Sequence, residues 1–181
     1  DGGSHPGMKN KSGHLMLAGH SDRMEFRNLR LADYSVSPTR PQSTADNSPP
    51  EGFVSLFNGQ DLDGWKGLAP KNANDRRALK GKALGDAQAT ADDVMRQHWS
   101  VVDGVLTYDG KGQSLCTAKD YGDFEFYVDW KIPPGADSGL YLRGTPQVQI
   151  WDPWDPRVKP GEDPPTDPDV WVAQYKNGRN L

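Results

Sequence analysis

At 181 residues, with only 34% hydrophobic residues and with 20 Gly and 15 Pro, the chain is long enough for one domain with a real core. Its turn-rich composition favours many short strands over long helices. A formal net charge of -4 without a basic stripe gives no electrostatic basis for binding nucleic acid, and no apolar run approaches the length that spans a bilayer. Cys116 is the one cysteine, so an intrachain disulfide is excluded and a buried, inert thiol is its plain reading. The chain opens at Asp1 with neither an initiator Met nor a signal peptide, which marks it as processed or as a fragment.

The first segment, SGHLMLAGHSDRMEFRNLRLADYS, predicts two strands, His14 to Ala18 and Met24 to Ala32, joined by the polar turn GHSD. A parity slip at Arg27 and Asn28 predicts a bulge in the second strand. SVSPTRPQSTADNSPPEG has no large apolar residue after Val36 and reads as a linker. A new unit begins at Gly52 with FVSLFNGQDLDGWKG: a strand, a polar turn and an aromatic anchor at Trp65. Between Asp86 and Gln97 the stripe Ala87, Ala91, Val94, Met95 and His98 predicts a helix with Asp86 as its N-cap. WSVVDGVLTYDG predicts a hairpin turning at Asp103 and Gly104, and a short strand follows from Gln113 to Thr117.

Three alternating runs come next. In DFEFYVDWK, Phe124, Phe126, Val128 and Trp130 alternate with Glu125, Tyr127, Asp129 and Lys131, a period of two that only a strand sorts onto opposite faces. After the turn PPGADSG, the run Ser138 to Arg143 sets Leu140 and Leu142 against Tyr141 and Arg143. The run Gln147 to Trp151 sets Val148 and Ile150 against Gln147, Gln149 and Trp151. If the three strands are neighbours, their second rows form one polar and aromatic face. Aromatic rings there would offer platforms to the C–H faces of a sugar, while amides, Arg and carboxylates would match its hydroxyls. A solvated face of an antiparallel sheet shows the same alternation. Beyond Asp152 the segment PWDPRVKPGEDPPTDPDV is too rich in proline for a central strand.

Other chemistries lack their motifs. There is no H-E-x-x-H, no Gly-rich phosphate loop opening a helix, and no G-x-S-x-G around Ser138. His14 and His20 flank one strand and could share a site, although satisfied surface or turn histidines are the plainer reading. Asp129, Asp137 and Asp152 could supply an acid and base for glycosidic chemistry; Asp137 could equally be a turn former. No cofactor is predicted. A divalent metal such as calcium has no ligand motif to hold it.

The run W-x-V-V-D-G-V-L, then SLCTAKDYGDFEFYVDWKI, GADSGLYLRG and PQVQIWDP, resembles the 3-keto-disaccharide hydrolase domain family, jelly-roll proteins of the concanavalin A-like lectin and glucanase type. FVSLFNGQDLDGWKG resembles that family's start, and SGHLMLAGHSDRMEFRNLRL resembles its end. The resemblance implies a mainly β, antiparallel β-sandwich with one short helix in an insertion. Residues 1–34 would be the C-terminal strands of a preceding or permuted domain, 35–51 a linker, and 52–181 the N-terminal part of a further domain. The missing strands would come from later residues of the chain or from a neighbouring copy, the tandem or incomplete-chain arrangement being preferred. An extracellular or periplasmic location is expected.

The family implies carbohydrate substrates with a ketone at C3, cleaved by hydrolysis or elimination. A C3 ketone acidifies the C2 proton, so a base removes it, a cation or amide stabilises the enolate, and the C1 substituent leaves. On residue chemistry, Asp129 or Asp152 is the candidate base and Lys131 and Arg143 the candidate oxyanion stabilisers. Gln149 would orient hydroxyls, Tyr141 or Trp151 would form the platform, and Glu125, Tyr127, Asp137 and Gln147 would complete the substrate face. The same face would equally serve a non-catalytic carbohydrate-binding module, and tandem domains could also form a structural unit of an extracellular assembly.

Overall fold

The computed structural model describes residues 11–33, 46–69, 78–133, 135–144 and 147–151. The strands are β1 (Met16–Leu17), β2 (Met24–Asp33), β3 (Val54–Ser55), β4 (Trp65–Gly67), β5 (Trp99–Val102), β6 (Val105–Tyr108), β7 (Leu115–Thr117), β8 (Phe124–Lys131), β9 (Asp137–Tyr141) and β10 (Gln147–Trp151), and helix α1 spans Gly81–His98. They form two antiparallel sheets, the β-sandwich expected. The first runs in the order β10, β9, β1, β7, β4. In the second, β2 pairs with β8 along one edge from Glu25 to Asp33, while its other edge is shared by β6, opposite Met24 to Phe26, and β3, opposite Arg30 and Leu31.

The apolar rows of the two sheets meet in one core. Leu17, Leu115, Leu140 and Ile150 from the first pack with Met24, Phe26, Leu106 and Val128 from the second. Trp99 lies between Phe26 and Tyr108, with ring centroids 6.2 and 4.7 Å away. Both polar tips of these buried aromatics are satisfied, since Trp99 Nε1 donates to the Gln113 carbonyl at 2.8 Å and Tyr108 Oη to the His20 carbonyl at 3.0 Å.

The predicted bulge is present. The β2–β8 register shifts between Arg27 and Arg30, where Asn28 takes a φ of 54° that Asn tolerates better than most residues. Asn28 and Asn47 exchange hydrogen bonds, Asn28 Oδ1 accepting from the Asn47 N–H at 2.6 Å and Asn47 Oδ1 from the Asn28 N–H at 3.1 Å. Asn47 Nδ2 then donates to the Gly104 carbonyl at 2.9 Å, in the predicted turn where Asp103 and Gly104 both have positive φ. One end of the expected linker is thus anchored to β2; residues 34–45 lie outside the described ones.

The helix is longer than predicted. It starts at Gly81 with Lys80 as its N-cap, and Asp86 instead sits within it, paired with Lys82 at 2.6 Å. The apolar stripe of Ala87, Ala91, Val94, Met95 and His98 is its inner side, as read. Its neighbours Gln88 and Asp92 cover the edge strand β4: the Gly67 N–H donates to Asp92 Oδ1 at 2.9 Å, and Gln88 Nε2 donates to the Gly67 carbonyl at 3.0 Å. At its C-terminal end α1 runs directly into β5, the edge of the second sheet. One helix therefore covers the edge of the first sheet at β4 and leads directly into the edge strand of the second.

Candidate active site on the outer face of the first sheet

The three runs that alternate so clearly do not lie side by side. β8 belongs to the second sheet, while β9 and β10 pair in the first, so Glu125, Tyr127, Asp129 and Lys131 lie apart from the row of Tyr141, Gln147 and Gln149. Period two fixes which residues share a face of a strand but says nothing about its neighbours. Asp129 is 6% exposed and accepts from Asn28 Nδ2 at 2.6 Å, with Arg27 Nε 3.6 Å away. Tyr127 Oη donates to Glu125 at 2.6 Å and its ring meets Phe53 edge-on at 5.5 Å. These residues knit the bulge and the 46–53 segment to the second sheet. Asp152 lies outside the described residues, as does the proline-rich segment after it, and Trp151 is placed only as the register partner of Asp137.

The first sheet keeps the rest of the expected face. Leu17, Leu115, Leu140 and Ile150 turn inward, so the alternate positions occupy the outer side. Register sets Lys66, Cys116, Met16, Tyr141 and Gln147 in a row across β4, β7, β1, β9 and β10. Cys116 is buried, as expected of it. Gly139 follows Tyr141 on this side, and its lack of a side chain admits the Gln147 amide, because a Cβ there would stand 2.1 Å from Gln147 Nε2. Burial raises the Tyr141 phenol above its ordinary pKa, and the Asp137 charge adds to the shift. Tyr141 is therefore a protonated donor throughout the physiological range.

One end of the face carries a relay that sequence reasoning missed. Lys66 Nζ donates to His14 Nε2 at 2.9 Å, and His14 Nδ1 lies 2.9 Å from Asp120 Oδ1 and 3.2 Å from the Lys119 carbonyl. With the lysine donating to Nε2, the imidazole carries its own proton on Nδ1 and gives it to Asp120, which fixes both ring orientation and tautomer. Arg143 stands at this same end, since Gly13 abuts its backbone. It occupies a turn with φ 51° rather than the expected strand, and its guanidinium lies 3.6 Å from Asp123. The opposite end carries His20, whose Nδ1 is 3.4 Å from Asp137 Oδ2, and Gln149, whose amide nitrogen donates to Asp137 Oδ1 and, at 2.9 Å, to the Ser138 carbonyl. The signal for the histidines was available, because His14, Met16, Ala18 and His20 share one parity. Lys66 had no such signal, since its partner is 52 positions away.

Two antiparallel sheets packed through their apolar rows, with His, Lys, Tyr and Gln on one outer face and Arg143 at its end, define a β-sandwich with a polar sheet-face site. The chain belongs to the family of 3-keto-alpha-glucoside-1,2-lyase-like domains, which it matches over residues 52–174. It is also similar to a curated 3-keto-disaccharide hydrolase of Bacteroides thetaiotaomicron, with 23% identity over 135 residues covering 68% of this chain. The matched region spans 39% of that relative's length. No solved structure matches the chain.

Proposed function

We propose that the outer face of the first sheet binds a 3-keto-α-glucoside and cleaves its C1 substituent by proton abstraction at C2. The observation that carries this reading is the pairing of His14 Nε2 with Lys66 Nζ at 2.9 Å, backed by Asp120. The reaction needs a base at a carbon and a cation at the oxygen of the adjacent carbonyl, and that carbon and oxygen are two bonds apart in the substrate. A neutral imidazole nitrogen beside an ammonium matches that demand. As the ketone displaces the imidazole from the ammonium, His14 Nε2 takes the C2 proton and Lys66 stabilises the enolate oxygen; Arg143 adds positive charge at the same end.

Collapse of the enolate forms the C1–C2 double bond, breaks the C1–O bond and releases the leaving alkoxide, which takes a proton. The product is an enone. Water adding back at C1, with protonation at C2, gives net hydrolysis, so one base and one cation serve both the lyase and the hydrolase outcome. Neither needs a nucleophilic serine or the buried Asp129.

The test is to incubate the full-length protein with a 3-keto-α-glucoside and follow the ultraviolet absorbance of the enone together with release of the C1 substituent. His14→Ala should lower kcat by about 10²–10⁴, and Lys66→Ala by about 10²–10³. Exchange of the C2 proton with deuterated solvent should be lost in His14→Ala. Undiminished turnover in folded His14→Ala removes the base from this scheme.

A further inference from the structure

The His14 imidazole is held from behind by a residue on the inner side of the sheet. The register that sets Leu17 against Leu115 and Met16 against Cys116 brings Leu15 opposite Thr117, where β7 ends. Thr117 shares the parity of Leu115 and pairs with Trp65; both of those side chains lie in the core, so the Thr117 side chain points inward. It is 2% exposed. The Thr117 N–H donates to the Leu15 carbonyl at 2.9 Å, as in an ordinary antiparallel pair. The return bond is different, because the Leu15 N–H donates to Thr117 Oγ1 at 3.0 Å.

A hydroxyl has one proton to give. The Leu15 carbonyl, 3.3 Å away, already accepts from the Thr117 N–H, whereas the Lys119 carbonyl lies at 2.9 Å and takes the proton. Thr117 Oγ1 thus joins the two main-chain segments that hold the imidazole. Leu15 N belongs to the peptide bond of His14 itself, and the Lys119 oxygen is the atom 3.2 Å from His14 Nδ1. Asp120, the other partner of Nδ1, follows Lys119 directly, and its side chain is 55% exposed. Water competes for such a carboxylate, so its hold on the ring depends on how firmly the turn beneath it is fixed. Carbonyl and carboxylate only accept, which keeps the proton on Nδ1 and leaves Nε2 bare. This matters most when the ketone displaces the imidazole from Lys66, because the ring then relies on its Nδ1 partners.

We propose that Thr117 is a positioning residue for proton abstraction: its buried hydroxyl fixes the Lys119 carbonyl and the His14 peptide, and so sets the tautomer and aim of the base. The inference rests on the reading of His14 as that base. Because Thr117 points away from the substrate face, its loss acts on turnover and not on binding.

Nitrogen-15 NMR of the full-length protein with labelled histidine reads the tautomer from the separate Nδ1 and Nε2 shifts, without substrate. Lys66→Ala serves as the background, because it removes the lysine's hold on Nε2 and leaves the Nδ1 side to decide. At a pH where the imidazole is neutral, His14 in Lys66→Ala should remain one tautomer, protonated at Nδ1. Adding Thr117→Val, which is nearly isosteric, should draw the two shifts together as the tautomers mix; adding Thr117→Ser instead, which keeps the hydroxyl, should preserve the single form. Thr117→Ala removes the same hydroxyl and carries the test if the valine variant fails to fold. In turnover of a 3-keto-α-glucoside, Thr117→Val alone should lower kcat about tenfold with KM unchanged, the worth of one hydrogen bond. Thr117→Ser should restore it. An unmixed tautomer in the folded double variant, or a rise in KM in place of the fall in kcat, overturns the positioning role. The two readings fail separately: undiminished turnover in His14→Ala removes the chemistry, while the tautomer still decides whether Thr117 holds the ring.

Discussion

Asp129 and Asp137 are both carboxylates on strands, and their surroundings give them different work. Asp129 is sealed beneath Asn28 and Arg27, where its charge is matched and held still. Asp137 stays partly exposed and orients two side chains on the outer face. A third carboxylate, Asp109, closes the junction of α1 and β5. His98 Nδ1 lies 3.0 Å from its Oδ2, and the Lys111 N–H donates to Oδ1 at 2.9 Å. The hydrogen bonds from His98 and from Lys111 hold the Asp109 carboxyl below the usual range. A pKa lowered in the folded state means that the unfolded chain binds the proton more readily. The contribution to stability is therefore present above the unfolded value, about 3.9, and is lost as pH falls through the folded one. Asp109→Asn should melt below the wild-type protein at pH 7, and the gap should close on acidification below about pH 4. A gap in Tm independent of pH would mean that the charge on Asp109 is irrelevant. Since the side chain is 44% exposed, the effect should be small.

Among the elements, α1 and β4 are joined by a close backbone contact at a glycine. A Cβ on Gly67 would stand 2.1 Å from the Ala91 carbonyl oxygen, so any side chain must push the helix off the sheet edge and break the bond the Gly67 N–H gives to Asp92 and the one its carbonyl accepts from Gln88. Gly67→Ala should cost about 1–3 kcal/mol in urea unfolding. Gly85 lies in the same helix with open space around it, and Gly85→Ala should stabilise by about 0.5–1 kcal/mol. A neutral Gly67→Ala would show that the helix is only loosely seated. What was legible in the sequence follows the same division between local and distant contacts. The inner stripe of α1, the bulge at Asn28 and the turn at Asp103 and Gly104 are local features, each written in a few consecutive residues. The placement of β8 depends on β2, about a hundred positions away, and alternation carries no information about that partner. The relay at His14 was hidden for the same reason, because Lys66 and Asp120 reach it from β4 and from the segment before β8.

At the scale of the whole molecule, residues 11–33 form the seam of both sheets. β1 is inserted between β7 and β9, and β2 between β8 and the pair β6 and β3. Without them β9 and β10 lose their connection to β7 and β4, and β8 loses its pairing with β2. The core loses Leu17, Met24, Phe26 and Leu29 as well. The face also depends on both parts, since His14 and His20 come from the first segment and Lys66, Asp120 and Asp137 from the second. Sheet pairing is non-covalent, so a break in the chain between Asp33 and Asp46 should leave the two parts associated. Co-expression of residues 1–40 with 41–181 should yield one complex that copurifies and melts in a single transition, whereas 41–181 alone should lack a cooperative transition. Activity toward a 3-keto-α-glucoside should appear only in the recombined complex. A cooperative native-like melt of 41–181 by itself would show that the second part completes its own sheets, and the central role of β1 and β2 would then be wrong.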